Sequence, residues 1–227
     1  MPGRIIPLIN EQVYHVFNRG IDKRPTFISK IEYKRAVITL DYYQFIHLPE
    51  KLSKFLITAE KERIELLLKL RESGERLVEI ISYVLMPNHF HLLLRQKIEG
   101  GISKYLSNVQ NSYTRYFNII HQRKGPLFLD QFKAVRVESD EQLLHVSRYI
   151  HLNPYTSYVV AKQDKLKDYI WSSLSEYLDN RQDSICEKET ILSFYNKKDN
   201  YGKFIYDQAD YQRNLDSIKH LVLDGEC

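Results

Sequence analysis

Cysteine is almost absent from this sequence. Its 227 residues include only Cys186 and Cys227, which lie far apart along the chain. Two isolated cysteines support neither a disulfide framework nor a zinc site built from CxxC pairs. Any metal site would therefore have to use histidine, carboxylate or amide ligands.

Long apolar runs are also missing. No stretch approaches the ~20 apolar residues of a membrane-spanning helix, and the N-terminus lacks the apolar segment of a secretory signal. Hydrophobic residues make up 43% of the chain and charged residues 27%, a balance typical of soluble globular proteins. We expect one core with appendages, no membrane partner and a cytoplasmic location.

Positive charge is in modest excess, with a net charge of +4 and an isoelectric point near 8.8. This excess is compatible with a nucleic-acid partner, although many ordinary proteins share it. The chain also contains 17 tyrosines. Tyrosine rings can stack on unpaired bases or simply fill a core.

The apolar periodicity predicts the order β, α, insertion, β, β, α, β, α. This order favours an α+β fold with helices packed on an antiparallel sheet, close to the ferredoxin-like or RRM-like arrangement. We expect one domain over residues 1–160, with a helical insertion at about 52–76, and a C-terminal extension over 161–227. The predicted strands are 13–18, 77–85, 89–96 and 132–137, and the main helices are 30–46, 102–120 and 139–154.

The sharpest local feature is His89-Phe90-His91, which follows the turn Met86-Pro87-Asn88. Residues two apart on a strand project from the same face, so this segment can offer two imidazoles to one ion. Two histidines alone form an incomplete site, and a merely polar strand face explains them equally well. A third ligand must come from elsewhere.

The helix predicted after Ser139 carries an apolar stripe and a separate polar row. Spacings of three and four residues place the polar side chains on one face, and Tyr149 and Asn153 are neighbours there. If this helix packs on the strand of the two histidines, both side chains come beside the imidazoles. Capping of the helix before Pro154 is the other interpretation of Asn153. The polar row consists of Gln142, His145, Tyr149 and Asn153.

Several segments, in order, carry a family resemblance. They are FNRG at 17–20, VLMPNHFHLLL at 84–94, GPLF at 125–128 continuing to Phe132-Lys133, and YIHLNP at 149–154. Together they resemble the single-tyrosine (IS200-like) transposases of the HUH superfamily, and in particular the REP-associated tyrosine transposases. The resemblance covers roughly residues 10–160.

The resemblance implies an HUH endonuclease core in which His89, His91 and Asn153 bind a divalent cation, Mg²⁺ or Mn²⁺. It implies that Tyr149 attacks single-stranded or hairpin DNA and leaves a 5′-phosphotyrosine and a free 3′-hydroxyl. A nucleoid-associated protein in the cytoplasm, working as a monomer or homodimer, is expected. Tyr113 and Tyr116 are weaker nucleophile candidates, since they fall on an apolar stripe.

The general base for Tyr149 stays open between His145, His151 and a metal-bound hydroxide. Exposed cations are the candidate contacts for DNA phosphates. They are Arg19, Lys104, Arg115, Lys133 and Arg136.

Two other functions fit parts of the pattern. A non-catalytic single-strand binder would stack bases on an RRM-like sheet, bind without metal and form no covalent adduct. A metal-dependent hydrolase would use activated water, but the sequence lacks an HExxH motif and a convincing carboxylate cluster.

Overall fold

A computed structural model describes residues 7–179, 184–195 and 198–213 of the chain. The strands are β1 (Val13–Arg19), β2 (Val78–Met86), β3 (His89–Gln96) and β4 (Lys133–Arg136). The helices are α1 (Lys30–Tyr43), α2 (Leu52–Phe55), α3 (Glu60–Ser73), α4 (Gly101–Ile120), α5 (Asp140–Thr156), α6 (Leu174–Asp179), α7 (Glu189–Leu192) and α8 (Lys198–Tyr206). Two 3₁₀ turns span Ile21–Lys23 and Gln163–Asp168.

The four strands form one antiparallel sheet in the order β2-β3-β1-β4. The chain reaches them as β1, α1, β2, β3, α4, β4, with α2 and α3 between α1 and β2. That succession with that strand order is the ferredoxin-like arrangement. The predicted α+β fold is therefore confirmed.

Helices cover both faces of the sheet, and successive strand residues point to opposite faces. Phe90 of β3 lies with side chains of α1 and α4 around a small cavity. On the opposite face the ring of His91 contacts Tyr149 of α5. The two histidines of β3 thus face α5, and the residue between them points into the core under α1 and α4.

The helical insertion predicted at about 52–76 consists of two helices, α2 and α3. In α2, Leu52 and Phe55 are buried with Tyr42 in a small cluster of their own, whereas α3 buries no side chain completely. Leu66 and Leu67 of α3 pack against this cluster as well. One nitrogen of Arg71, Nη2, lies 2.8 and 2.9 Å from the two carboxylate oxygens of Asp41, and this ion pair anchors α3 to α1. Gly74 ends α3 in the left-handed conformation, φ 69°, which glycine adopts without a steric cost.

The described part of the C-terminal extension packs on the domain. Leu85 donates its N–H to Trp171 and Ser173 donates its N–H to Tyr83, so this segment runs along the outer edge of β2. Covering an edge strand removes a row of exposed backbone groups. Tyr201 of α8 is completely buried in the main core. Of the two cysteines, Cys186 is buried and Cys227 lies outside the described residues.

Among the described residues, no helix has both the length and the apolar character needed to span a membrane.

Gly101, the first residue of α4, lies against the backbone of Leu77, which comes directly before β2. A substitution at this position tests how tightly the helix packs there. A Cβ atom there would collide with the backbone carbonyl of Leu77. We expect Gly101→Ala to lower the free energy of unfolding by about 1–3 kcal/mol through overpacking. Gly202→Ala in α8 is the control, since its Cβ would meet only the flexible end of Leu178 at 3.4 Å; we expect no loss there. Denaturant unfolding measures both, and a Gly101→Ala protein as stable as wild type would contradict the packing argument.

Candidate active site

The two histidines of β3 lie side by side on the sheet face that α5 covers. The ring centroids of His89 and His91 are 5.1 Å apart. On the neighbouring strand β1, Arg19 is the pairing partner of His89 and Phe17 that of His91. His91 is 8% exposed and His89 is half-buried. The site therefore sits at the end of β3 nearest the turn.

Helix α5 brings Tyr149 and Asn153 to these histidines. The Tyr149 ring stands edge-on to His91, with centroids 5.4 Å apart, and the Asn153 side chain lies close enough to His89 to raise the pKa of that imidazole. The spatial arrangement expected from the polar row is thus present. Their catalytic and metal-binding roles stay predictions.

Asn153 does not cap α5, so the capping interpretation is wrong. The helix continues through Pro154 to Thr156, and Ser157 is its C-cap. The backbone N–H of Ser157 donates to the Asn153 carbonyl at 3.0 Å. The Asn153 side chain is only 3% exposed and points into the site, because position 153 is one turn beyond position 149.

A third histidine, His15, belongs to the site and was missed in the sequence analysis. Its Nε2 lies 2.9 Å from Nδ1 of His91, and the two rings stack at 5.1 Å with an angle of 28° between their planes. The His15 ring is also 5.8 Å from that of Tyr149. The only signal in the sequence is the alternation of β1, which places His15 and Phe17 on one face.

All three histidines are held in the neutral form. Burial lowers the pKa of His15 from 6.5 to about 4. Burial, followed by the nearby His89 and His15, lowers the pKa of His91 well below 6.5. Burial also lowers the pKa of His89, the Asn153 side chain opposes this by favouring the protonated ring, and the charge of Arg19 lowers the pKa further. Neutral imidazole is the form that binds metal ions.

The donor set fits a divalent cation. The Asn153 side chain acts on the pKa of His89, so an imidazole and an amide group are neighbours here, with His91 beside them. Imidazole nitrogen together with an amide oxygen is compatible with Mn²⁺ or Mg²⁺. Within residues 7–179, 184–195 and 198–213, no three His, Cys, Asp or Glu side chains form a group that could hold a metal ion.

His151, one of the candidate bases, lies on the other side of α5. Its Nδ1 hydrogen-bonds the Tyr201 hydroxyl and its Nε2 the Ser173 hydroxyl, each at 2.7 Å. Both ring nitrogens are therefore engaged by the C-terminal extension. His145 lies one turn before Tyr149, and its Nδ1 is 2.6 Å from the Arg148 guanidinium.

The five candidate phosphate contacts divide between the two faces of the sheet. Arg19 pairs with His89 and Lys133 pairs with Phe17, which places both on the face of the site. Arg136 pairs with Tyr14 on the opposite face and donates to Gln12. Lys104 and Arg115 are exposed on α4, which covers that opposite face.

Comparisons with known proteins identify a family and a similar fold. The sequence matches the family described as "Transposase IS200 like" over residues 37–153, a segment that contains both histidines of β3, Tyr149 and Asn153. A solved structure, the REP-associated tyrosine transposase bound to a REP hairpin, is similar with a TM-score of 0.53 and 14% sequence identity. The similarity covers 82% of this chain and 90% of the other, and at this identity it concerns the fold. No curated protein matches the sequence significantly.

The burial of His151 predicts a pH-dependent stability. Its pKa falls from 6.5 to about 3 in the folded protein because of burial. Between these two pH values the unfolded chain binds this proton and the folded protein does not. The free energy of unfolding therefore carries no penalty from His151 above pH 6.5, and it decreases as the pH falls toward 3.

We expect His151→Gln to flatten this decline by up to about 1.4 kcal/mol per pH unit, the contribution of one proton. Denaturant unfolding at a series of pH values measures the slope. His47→Gln, at an exposed histidine, is the control. An unchanged slope in His151→Gln would contradict the assignment of this proton to His151.

Proposed function

Because the chain belongs to the IS200-like transposase family, we propose that it is a metal-dependent endonuclease and strand transferase of single-stranded DNA with Tyr149 as its nucleophile. The observation that carries this proposal is the meeting of Tyr149 and Asn153 of α5 with His89 and His91 of β3. A tyrosine beside two neutral histidines and an amide supports phosphoryl transfer better than binding alone.

The proposed reaction exchanges one phosphodiester for another. The phenolic oxygen of Tyr149 forms a bond to the scissile phosphorus, and the bond from phosphorus to the 3′ oxygen breaks. Tyr149 loses its proton and the departing 3′ oxygen gains one, so the products are a 5′-phosphotyrosine and a free 3′-hydroxyl. The covalent intermediate divides the transfer into two steps. A 3′-hydroxyl of another DNA end can then attack the phosphotyrosine and release Tyr149.

His89, His91 and Asn153 would hold the divalent cation. When bound, such an ion polarises a phosphate oxygen and neutralises the charge that builds up on the leaving oxygen. The chain's own contribution is to keep both imidazoles unprotonated through burial and to aim the Tyr149 ring at them. Arg19, exposed beside His89, adds a positive charge where a phosphate would enter.

The proposed substrate is single-stranded DNA that contains hairpins, such as repeated palindromic sequences. A structurally similar transposase is described in complex with a REP hairpin, which supports this substrate class. Positive residues on the face of the site support contact with the DNA backbone, because phosphate charge dominates the affinity for nucleic acids.

We expect wild-type protein, incubated with end-labelled single-stranded hairpin DNA and Mn²⁺, to give a labelled covalent band on a denaturing protein gel. Tyr149→Phe should abolish this band because it removes the nucleophilic oxygen, and His89→Ala should abolish it through loss of a ligand. Tyr158→Phe, at a tyrosine that is 61% exposed, is the matched control and should retain the band.

An adduct that persists in Tyr149→Phe would mean that another tyrosine is the nucleophile. Wild-type protein that binds a broad set of hairpins without adduct or cleavage would instead favour a non-catalytic single-strand binder.

The division of cations between the two faces gives a second test. We expect Arg19→Ala and Lys133→Ala each to weaken hairpin binding and to make its salt dependence shallower, by about 0.7 in log affinity per log salt for each lost phosphate contact. Lys104→Ala and Arg115→Ala, on the opposite face, should leave the slope close to that of wild type. Fluorescence anisotropy at several salt concentrations measures the slopes, and equal effects in all four variants would contradict a DNA path over the face of the site.

A further inference from the structure

We propose that His15 is a positioning residue, which makes Nε2 of His91 the nitrogen available to a divalent cation. The inference rests on the metal site of the proposed function, and it concerns a residue outside the family-matched segment 37–153. Its starting point is the contact between His15 Nε2 and His91 Nδ1 at 2.9 Å.

A neutral imidazole has one N–H and one nitrogen with a free electron pair. If Nδ1 of His91 donates to Nε2 of His15, then Nε2 of His91 keeps its electron pair and can bind a cation. The opposite arrangement, with His15 donating, would leave the proton of His91 on Nε2 and block that nitrogen. Histidine ligands of metals generally donate their other N–H to a neighbouring acceptor, and here His15 is that acceptor.

His89 has the same arrangement with a different partner. Its Nδ1 lies 2.7 Å from the side-chain oxygen of Asn88. The Asn88 amide nitrogen donates to the Lys23 carbonyl at 3.1 Å, so the oxygen is the atom turned toward His89. An amide oxygen only accepts hydrogen bonds, and therefore Nδ1 of His89 is the donor. Both histidines of β3 thus turn Nδ1 to a neighbouring acceptor and leave Nε2 for the site.

Packing holds the His15 ring in the place that this role requires. The ring stacks on His91 and contacts Phe17 at 5.1 Å and Tyr149 at 5.8 Å between centroids. β1 is an inner strand with β3 on one side and β4 on the other, so its backbone is fixed by two ladders. A ring confined in this way restricts the rotation of the His91 ring as well as the choice of the nitrogen that carries its proton.

The first experiment measures Mn²⁺ binding to the full-length protein by calorimetry, without DNA. His15→Phe keeps a stacked ring but removes the acceptor, and we expect it to weaken Mn²⁺ binding about 10–100-fold. His15→Gln supplies an amide oxygen as acceptor and should recover most of this loss. Phe17→Leu is the matched control for packing, since Phe17 contacts the same ring of His91 at 5.4 Å but offers no acceptor; its affinity should stay within a few-fold of wild type.

The second experiment reads the proton directly in the metal-free protein. Long-range ¹H–¹⁵N NMR of the imidazoles, assigned through His91→Gln, should show the proton of His91 on Nδ1 in wild type and a shift toward Nε2 in His15→Phe. A merely structural role for His15 would not move this signal.

The outcomes separate this inference from the proposed function. An Mn²⁺ affinity in folded His15→Phe equal to that of wild type, or a His91 proton on Nε2 in wild type, would overturn the role of His15. An equal loss of Mn²⁺ affinity in His15→Phe and His15→Gln would also overturn it, because the acceptor oxygen of glutamine would then make no difference. If the labelled band persists in Tyr149→Phe while Mn²⁺ affinity and the NMR signal still depend on His15, Tyr149 is not the nucleophile. The positioning role of His15 would remain supported in that case.

Discussion

The rotation of α5 about its own axis is the constraint on which the site depends. Successive helix residues are about 100° apart, so Tyr149 and Asn153 share one face and His151 lies almost opposite. The two ring nitrogens of His151 are hydrogen-bonded to Tyr201 and Ser173 in a fully buried position. Turning α5 would break these directional bonds and leave buried polar groups unsatisfied, at a cost of about 1–3 kcal/mol for each group. The same contacts therefore keep Tyr149 and Asn153 aimed at the histidines of β3.

Burial of the histidine cluster costs folding free energy, but it also favours the neutral imidazoles that can bind a cation. His91 contacts both His15 and His89, and rings this close would repel if protonated. Burial makes protonation of all three harder still. The folded protein therefore favours their neutral forms, which are the forms able to donate electron pairs to a cation. Positive charge lies at the margin of the site, where Arg19 stands beside His89 and Lys133 pairs with Phe17. An apolar, neutral interior with a basic rim suits a reaction in which negative charge develops at a bound phosphate.

Much of this arrangement was predictable because two periodicities determine it. The two-residue repeat of β3 brings His89 and His91 to one face, and the four-residue repeat of α5 brings Tyr149 and Asn153 together. The sequence did not reveal that His15 belongs to the site, because a lone histidine on an alternating strand carries no local signal. Its partner His91 lies 76 residues further along the chain. The capping interpretation of Asn153 failed for a related reason. Contacts that follow Pro154 extend α5 by another two residues, and they come from tertiary packing that local residue preferences do not encode.

The C-terminal extension matters to the site for the same reason that it was hard to interpret. Its polar composition carries no motif after about residue 161, yet Tyr201 and Tyr177 are buried in the main core together with strands β2 and β3. A segment that completes a core contributes only scattered apolar residues of its own, so its sequence resembles that of a loosely attached tail.

The two halves of the site have separate structural supports. His15 and Asn88 orient the imidazoles on the sheet, and the network around His151 orients the helix that carries Tyr149. Because neither support belongs to the proposed DNA contacts, the protein alone already places Tyr149 beside the imidazoles. In the proposed phosphoryl transfer, such an arrangement would lower the entropic cost of reaching the transition state.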